Sequence, residues 1–91
     1  MTQDGLNRRL RVHNQTGWTM VKLQAAEAGS DAWTGDLLTG RTVATGTSWV
    51  GLIDDGAGAC AFTLRAEFSN GQTLDRPGVN VCRIADYYFT R

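Results

Sequence analysis

The chain has little of several things, and each shortage excludes something. It carries one proline, one histidine, two cysteines and no net charge, with nine basic residues against nine acidic ones. A balanced charge argues against nucleic-acid binding by phosphate neutralisation and against a polybasic membrane sensor. No apolar run approaches the ~20 residues that a spanning helix needs, so membrane insertion is not expected. With His13 the only histidine, any histidine-centred dyad or triad must be built on it, and no serine sits in a G-x-S-x-G elbow. These shortages favour a protein that is not an enzyme. Cys60 and Cys82, 22 positions apart, do not form the close C-x-x-C pairs of a zinc site or a redox motif. Their spacing leaves two readings open, a disulfide or two buried free thiols.

What is present is glycine, eleven in 91 residues, and short apolar runs between turn signals. That length makes one domain. Residues 1–9 are polar and read as a flexible N-terminal segment ahead of a single domain over 10–91. They contain no apolar stretch of the kind a signal peptide requires. Two compartments fit: the cytoplasm, or the periplasm or exterior after removal of a leader.

Leu10 to Asn14 alternates as a half-buried strand does, Asn14-Gln15-Thr16-Gly17 reads as a turn, and Trp18 to Ala26 forms the second strand of a first hairpin. In that second strand Val21, Leu23 and Ala25 fall on one face and Met20, Lys22 and Gln24 on the other. Trp33 to Leu38 reads as a corner that buries Trp33 between sheets, with Asp36 capping a single turn. Thr42 to Thr45 is an extended link and Ser48 to Ile53 a strand ending at Asp54-Asp55-Gly56-Ala57-Gly58. The clearest element is Ala59 to Phe68, where Cys60, Phe62, Leu64, Ala66 and Phe68 share one face and Thr63, Arg65 and Glu67 the other. Asn70-Gly71 predicts a hairpin with a type I′ turn. Gln72 to Arg76 returns as a polar edge strand, Pro77-Gly78 turns the chain, and Val79 to Ile84 is a last strand that Tyr87-Tyr88-Phe89 extends or covers. No amphipathic helix of three turns occurs. The pattern is an all-β protein, a compact antiparallel β-sandwich or small barrel of six to eight short strands.

Several separated residues resemble a family of small, mostly uncharacterised exported β-sandwich proteins of proteobacteria. They are Asn14 and Thr16, the W-x-x-D-x-L corner of Trp33, Asp36 and Leu38, the Val43-Ala44-Thr45-Gly46 step, the Cys60-Ala61-Phe62-Thr63-Leu64-Arg65 strand, Asn70-Gly71 and Val81-Cys82. The set covers residues 10 to about 84. Two positions depart from that pattern: the glycine after the tryptophan is displaced to Gly35, and Thr63 stands where an aspartate is expected. The resemblance implies an exported domain bridged from Cys60 to Cys82, and it implies no activity.

Three sets of residues are candidates for function. Trp18, Trp49, Tyr87 and Tyr88 would suit protein or carbohydrate contact if exposed. Asp54 and Asp55 put two hard carboxylates on one loop and would form the start of a calcium site if Asp31, Asp36 or Asp75 joined them, although no D-x-[DN]-x-[DN]-G array is present. His13 would anchor a small hydrolase only with a nucleophile beside it. The reading these favour is a non-enzymatic extracytoplasmic binding module that needs no cofactor, with β-augmentation on the Gln72 to Arg76 edge as one mode; a calcium-dependent ligand-binding domain is the alternative. The oligomeric state is left open by the sequence.

Overall fold

The computed structural model describes residues 9–53 and 59–91. It contains six strands: β1 (Arg9–Asn14), β2 (Met20–Glu27), β3 (Ser48–Leu52), β4 (Ala61–Phe68), β5 (Thr73–Asn80) and β6 (Asp86–Phe89). They form two three-stranded sheets, ordered β3-β1-β6 and β2-β4-β5. The expected all-β, sandwich-like fold is the one observed, with no helix among the described residues. Arg9 already belongs to β1, so the domain begins one residue earlier than the sequence suggests; residues 1–8 lie outside the described residues.

The core comes from alternation. In β4, Phe62, Leu64, Ala66 and Phe68 point inward and are buried, as the period of two requires. Leu10 and Val12 of β1, Leu23 and Ala25 of β2, Val79 and Val81 near the end of β5, and Phe89 of β6 meet them. Burying an aliphatic or aromatic side chain of this size contributes about 1.5 to 3 kcal/mol.

Three strand assignments are corrected by the structure. β1 and β2 do not form a hairpin: β1 pairs with β3 and with β6, whereas β2 pairs with β4. The Asn14 to Gly17 turn instead carries the chain from one sheet to the other. Asn14 holds it there from a fully buried position, donating through Nδ2 to the carbonyls of Trp18 (2.7 Å) and Val43 (2.8 Å) and accepting from Thr16 Oγ1 (2.7 Å). In β2, the register runs Met20↔Phe68 and then Lys22↔Glu67, so Val21 is an extra bulged residue. The bulge reverses the expected parity at that end: Met20 is buried and Val21 is exposed. Finally, Pro77-Gly78 is not a turn. It lies inside β5, opposite Thr63, where the register steps from Phe62↔Val79 to Leu64↔Arg76. Gly78 there has φ +71°, and a bulge tolerates a proline that a regular ladder would not.

The remaining end of the chain follows from that bulge. β5 continues to Asn80, the turn after it crosses to the other sheet, and Asp86–Phe89 pairs parallel to β1 rather than extending the strand before it. The β4–β5 hairpin at Asn70-Gly71 is present, but only Gly71 has positive φ (+86°), so the turn is not type I′. Asn70 keeps a negative φ because its Oδ1 accepts from the Gln72 N–H (3.0 Å). Thr42 to Thr45 reduces to one bridge, Val43 with Met20.

Candidate functional site

Cys60 and Cys82 are joined by a disulfide, with Cα atoms 5.3 Å apart. Cys60 stands just before β4 and Cys82 just after β5; the bond therefore links neighbouring strands of one sheet rather than spanning the core. The Val81 N–H donates to the Cys60 carbonyl (2.9 Å), extending the ladder to the bridge. It closes the point where the chain leaves this sheet for β6.

The residues outside the two sheets differ in character. On the outer face of β2-β4-β5, Arg65 forms two hydrogen bonds to Asp75 (2.8 and 3.1 Å) and lays its guanidinium 4.0 Å over the Trp33 ring. Lys22 stands 3.8 Å from Glu67. The Arg65 hydrogen bonds, outweighing desolvation, hold the Asp75 carboxyl below the usual carboxylate range. Trp33 is thus not a core residue, contrary to expectation. The Thr34 N–H donates to the Ala25 carbonyl and the Thr34 hydroxyl accepts from the Ala25 N–H, so its corner runs along the β2 edge instead of between the sheets. Leu38 and Val43 are the residues this segment buries.

Asp36 completes that edge. Its carboxylate accepts from the N–H groups of Leu23 (3.1 Å), Leu38 (3.0 Å) and Gly40 (3.3 Å). The turn it was expected to cap is there, and Leu23 shows that it also terminates a strand edge. Burial acts upward on its carboxyl, but the three backbone donors together outweigh it and keep the group below its ordinary value.

The outer face of β3-β1-β6 is built differently. Register brings Ser48, Val50 and Leu52 of β3 alongside His13, Arg11 and Arg9 of β1, and Asp86 and Tyr88 of β6 alongside Arg11 and His13. Val50, Leu52 and Tyr88 are 37%, 47% and 51% exposed, values that single out this face because among the other described large hydrophobic residues only Val21 and Ile84 are comparable. Arg9, Arg11, Val50, Ala85 and Asp86 line a shallow depression of ≈ 380 Å³. Arg11 makes no ion pair among the described residues.

His13 sits at the end of this face. Its Nε2 donates to Asp86 Oδ1 (2.8 Å) and its ring stacks on Tyr88, centroids 4.3 Å apart and planes 8° from parallel. Ser48 is its cross-strand partner, so serine, histidine and aspartate stand on three adjacent strands, an arrangement with no local sequence signal because it depends on strand order. Both β6 contacts draw the imidazole toward β6. No hydrogen bond joins it to Ser48, so a nucleophile and base are not paired.

The four aromatic candidates do not form one surface. Trp18, Trp49 and Tyr87 pack partly buried against the core, Trp18 edge-on to Phe68 (5.5 Å) and beneath Arg91 (4.9 Å), Tyr87 edge-on to Phe89 (5.2 Å). The Trp49 ring covers Gly51, where a Cβ would overlap it. Tyr88 alone stands outward. Asp54 and Asp55 lie outside the described residues. Of the carboxylates that would assist them with calcium, Asp36 and Asp75 already engage their oxygens as above, and the described residues hold no cluster of three metal-ligating side chains.

The chain matches no family model, no curated protein and no solved structure.

Proposed function

We propose that this protein is a small, non-enzymatic binding module of an oxidising, extracytoplasmic compartment, and that it meets its partner with the outer face of β3-β1-β6. One observation carries the reading: among the described residues that face leaves Arg11 without an ion pair beside exposed Val50, Leu52 and Tyr88, while the face of the opposite sheet pairs Arg65 with Asp75 and Lys22 with Glu67. An arginine flanked by apolar and aromatic groups is the composition of a protein-contact surface. The Cys60–Cys82 bond supports the compartment, because disulfides persist where thiols are not kept reduced. The family resemblance points the same way. Calcium has no observation in its favour among the described residues.

Site-specific photocrosslinking in cells that export the protein tests this. Probes at Arg11 and Tyr88 should give adducts with another protein, and probes at Gln24 and Thr63 on the opposite face should not. Adducts spread equally over both faces, or confined to the second, would overturn the assignment. A free-thiol count of two in protein taken directly from those cells would remove the compartment.

A further inference from the structure

The two sheets have four edges, and three are blunted. The β2 edge is filled by Thr34, Asp36 and the Val43 bridge. The β5 edge is interrupted by the Pro77-Gly78 bulge and bears Asp75 and Arg76. The β6 edge is four residues long, carries Asp86, and ends where Arg76 donates to the Thr90 carbonyl (2.6 Å). These are the devices by which sheets avoid adding strands. Among the described residues β3 has none of them. Ser48-Trp49-Val50-Gly51-Leu52 contains no charge and no proline.

Its free backbone groups can be counted. The Asn14 N–H donates to the Thr47 carbonyl, which fixes the antiparallel phase of β1 and β3. The hydrogen-bonded pairs are then Val12 with Trp49 and Leu10 with Gly51, and the N–H and C=O groups of Ser48, Val50 and Leu52 point away from β1. No backbone hydrogen bond engages them among the described residues.

We infer that the β3 edge accepts a second copy of the same strand, antiparallel about a two-fold axis through Val50. In that register Val50 faces Val50 and Ser48 faces Leu52. All three outward N–H and all three outward C=O groups of each copy find partners, so the two β6-β1-β3 sheets become one. The edge is uncharged, so self-pairing sets no like charges against each other. The outward side chains Val50 and Leu52 gather at the axis, which is the isologous, self-complementary contact of a two-fold dimer. On the inward side, Trp49 falls opposite Gly51 of the other copy, where there is no side chain. The interface involves five residues a side, against about 20 to 30 in a stable complex, so the dimer is weak and concentration-dependent, with a dissociation constant on the order of 0.1 mM. The inference rests on backbone groups and does not depend on a partner at the outer face.

Sedimentation equilibrium and amide hydrogen exchange on the whole chain, from ~0.01 to ~1 mM, provide the test. The average mass should rise from 9.9 kDa toward twice that value. Exchange at the Val50 and Leu52 amides should slow about fourfold over the same range by mass action, with the Leu10 and Val12 amides unchanged. Val50→Pro deletes only an outward N–H, and Leu52→Lys puts a charge on the edge; each should leave the chain monomeric. If the proline variant does not fold, the lysine variant decides. A mass that stays at 9.9 kDa throughout, slowing at other amides, or dimers that survive Leu52→Lys would each overturn the inference.

Discussion

On the outward side of β2-β4-β5, Arg65 grips Asp75 and covers Trp33, Lys22 stands beside Glu67, and two side chains fill the strand edge. On the outward side of β3-β1-β6, no described residue forms an ion pair with Arg11, three large side chains are exposed, and no described backbone group engages the β3 edge. Both sheets face one core, to which the strands of β2-β4-β5 give the larger share, Phe62, Leu64 and Phe68 among them, and those of β3-β1-β6 give Leu10, Val12 and Phe89. They differ also in whether polar groups are satisfied by described residues of the molecule. One sheet uses its polar residues to complete itself, and the other leaves groups that no described residue engages.

Three changes would break or sharpen this contrast. Loss of the Cys60–Cys82 bond has the largest expected effect, because it releases a loop of 22 residues in the unfolded chain. The cost is about 3 kcal/mol in the chain-entropy account. It falls on the self-contained sheet, at the open end of the β4–β5 hairpin. Urea unfolding with and without reductant measures it; coincident midpoints would show that the bond contributes nothing.

Next is Asp36→Asn, which keeps one acceptor oxygen and loses the other, for a cost of about 1 kcal/mol at neutral pH. Asp36 and Asp75 both titrate below an ordinary carboxyl in the folded protein. A depressed carboxyl contributes stability that is present above the unfolded value and disappears as pH falls through the folded one. Wild-type stability should therefore hold above about pH 5 and decline below about pH 4. The Asn variant should show a shallower acid limb in thermal melts below about pH 4, and an unchanged limb would mean that Asp36 does not couple to folding.

The smallest is Arg65→Ala. Its ion pair is partly exposed and its stacking on Trp33 is at the surface, so the expected loss is smaller than that of Asp36→Asn. Half of it or more should vanish in 1 M salt, where the screening length is about 3 Å. The contrast between sheets predicts that this variant leaves photocrosslinking at Arg11 and Tyr88 as in the wild type.

Sequence periodicity made the central strand legible. Phe62, Leu64, Ala66 and Phe68 were assigned to the right face because β4 is regular and nothing interrupts its alternation. β2 failed at one residue, Val21, since a bulge shifts parity without leaving a composition signal. Pro77-Gly78 failed for a related reason: the dipeptide that favours a turn also favours a bulge, and only the pairing with Thr63 decides between them. Asn14 to Gly17 reads correctly as a change of direction. Whether the next strand stays in the same sheet depends on Val43, 29 positions from Asn14, which no local pattern contains. The same limit hid the outer face, because Ser48, His13 and Asp86 become neighbours only through strand order.

The parallel pairing of β6 with β1 sets the order in which the molecule can form. Arg11 lies against Asp86, so the central strand of one sheet waits for residues near the other end of the chain. β4 and β5, by contrast, meet across a short hairpin. Non-local pairings bear their loop-closure entropy before any contact rewards it, and they slow folding. During vectorial synthesis the β4–β5 hairpin can therefore assemble early, whereas β1 stays incomplete until Phe89 has emerged. The β3-β1-β6 sheet therefore closes last, after the β4–β5 hairpin is in place.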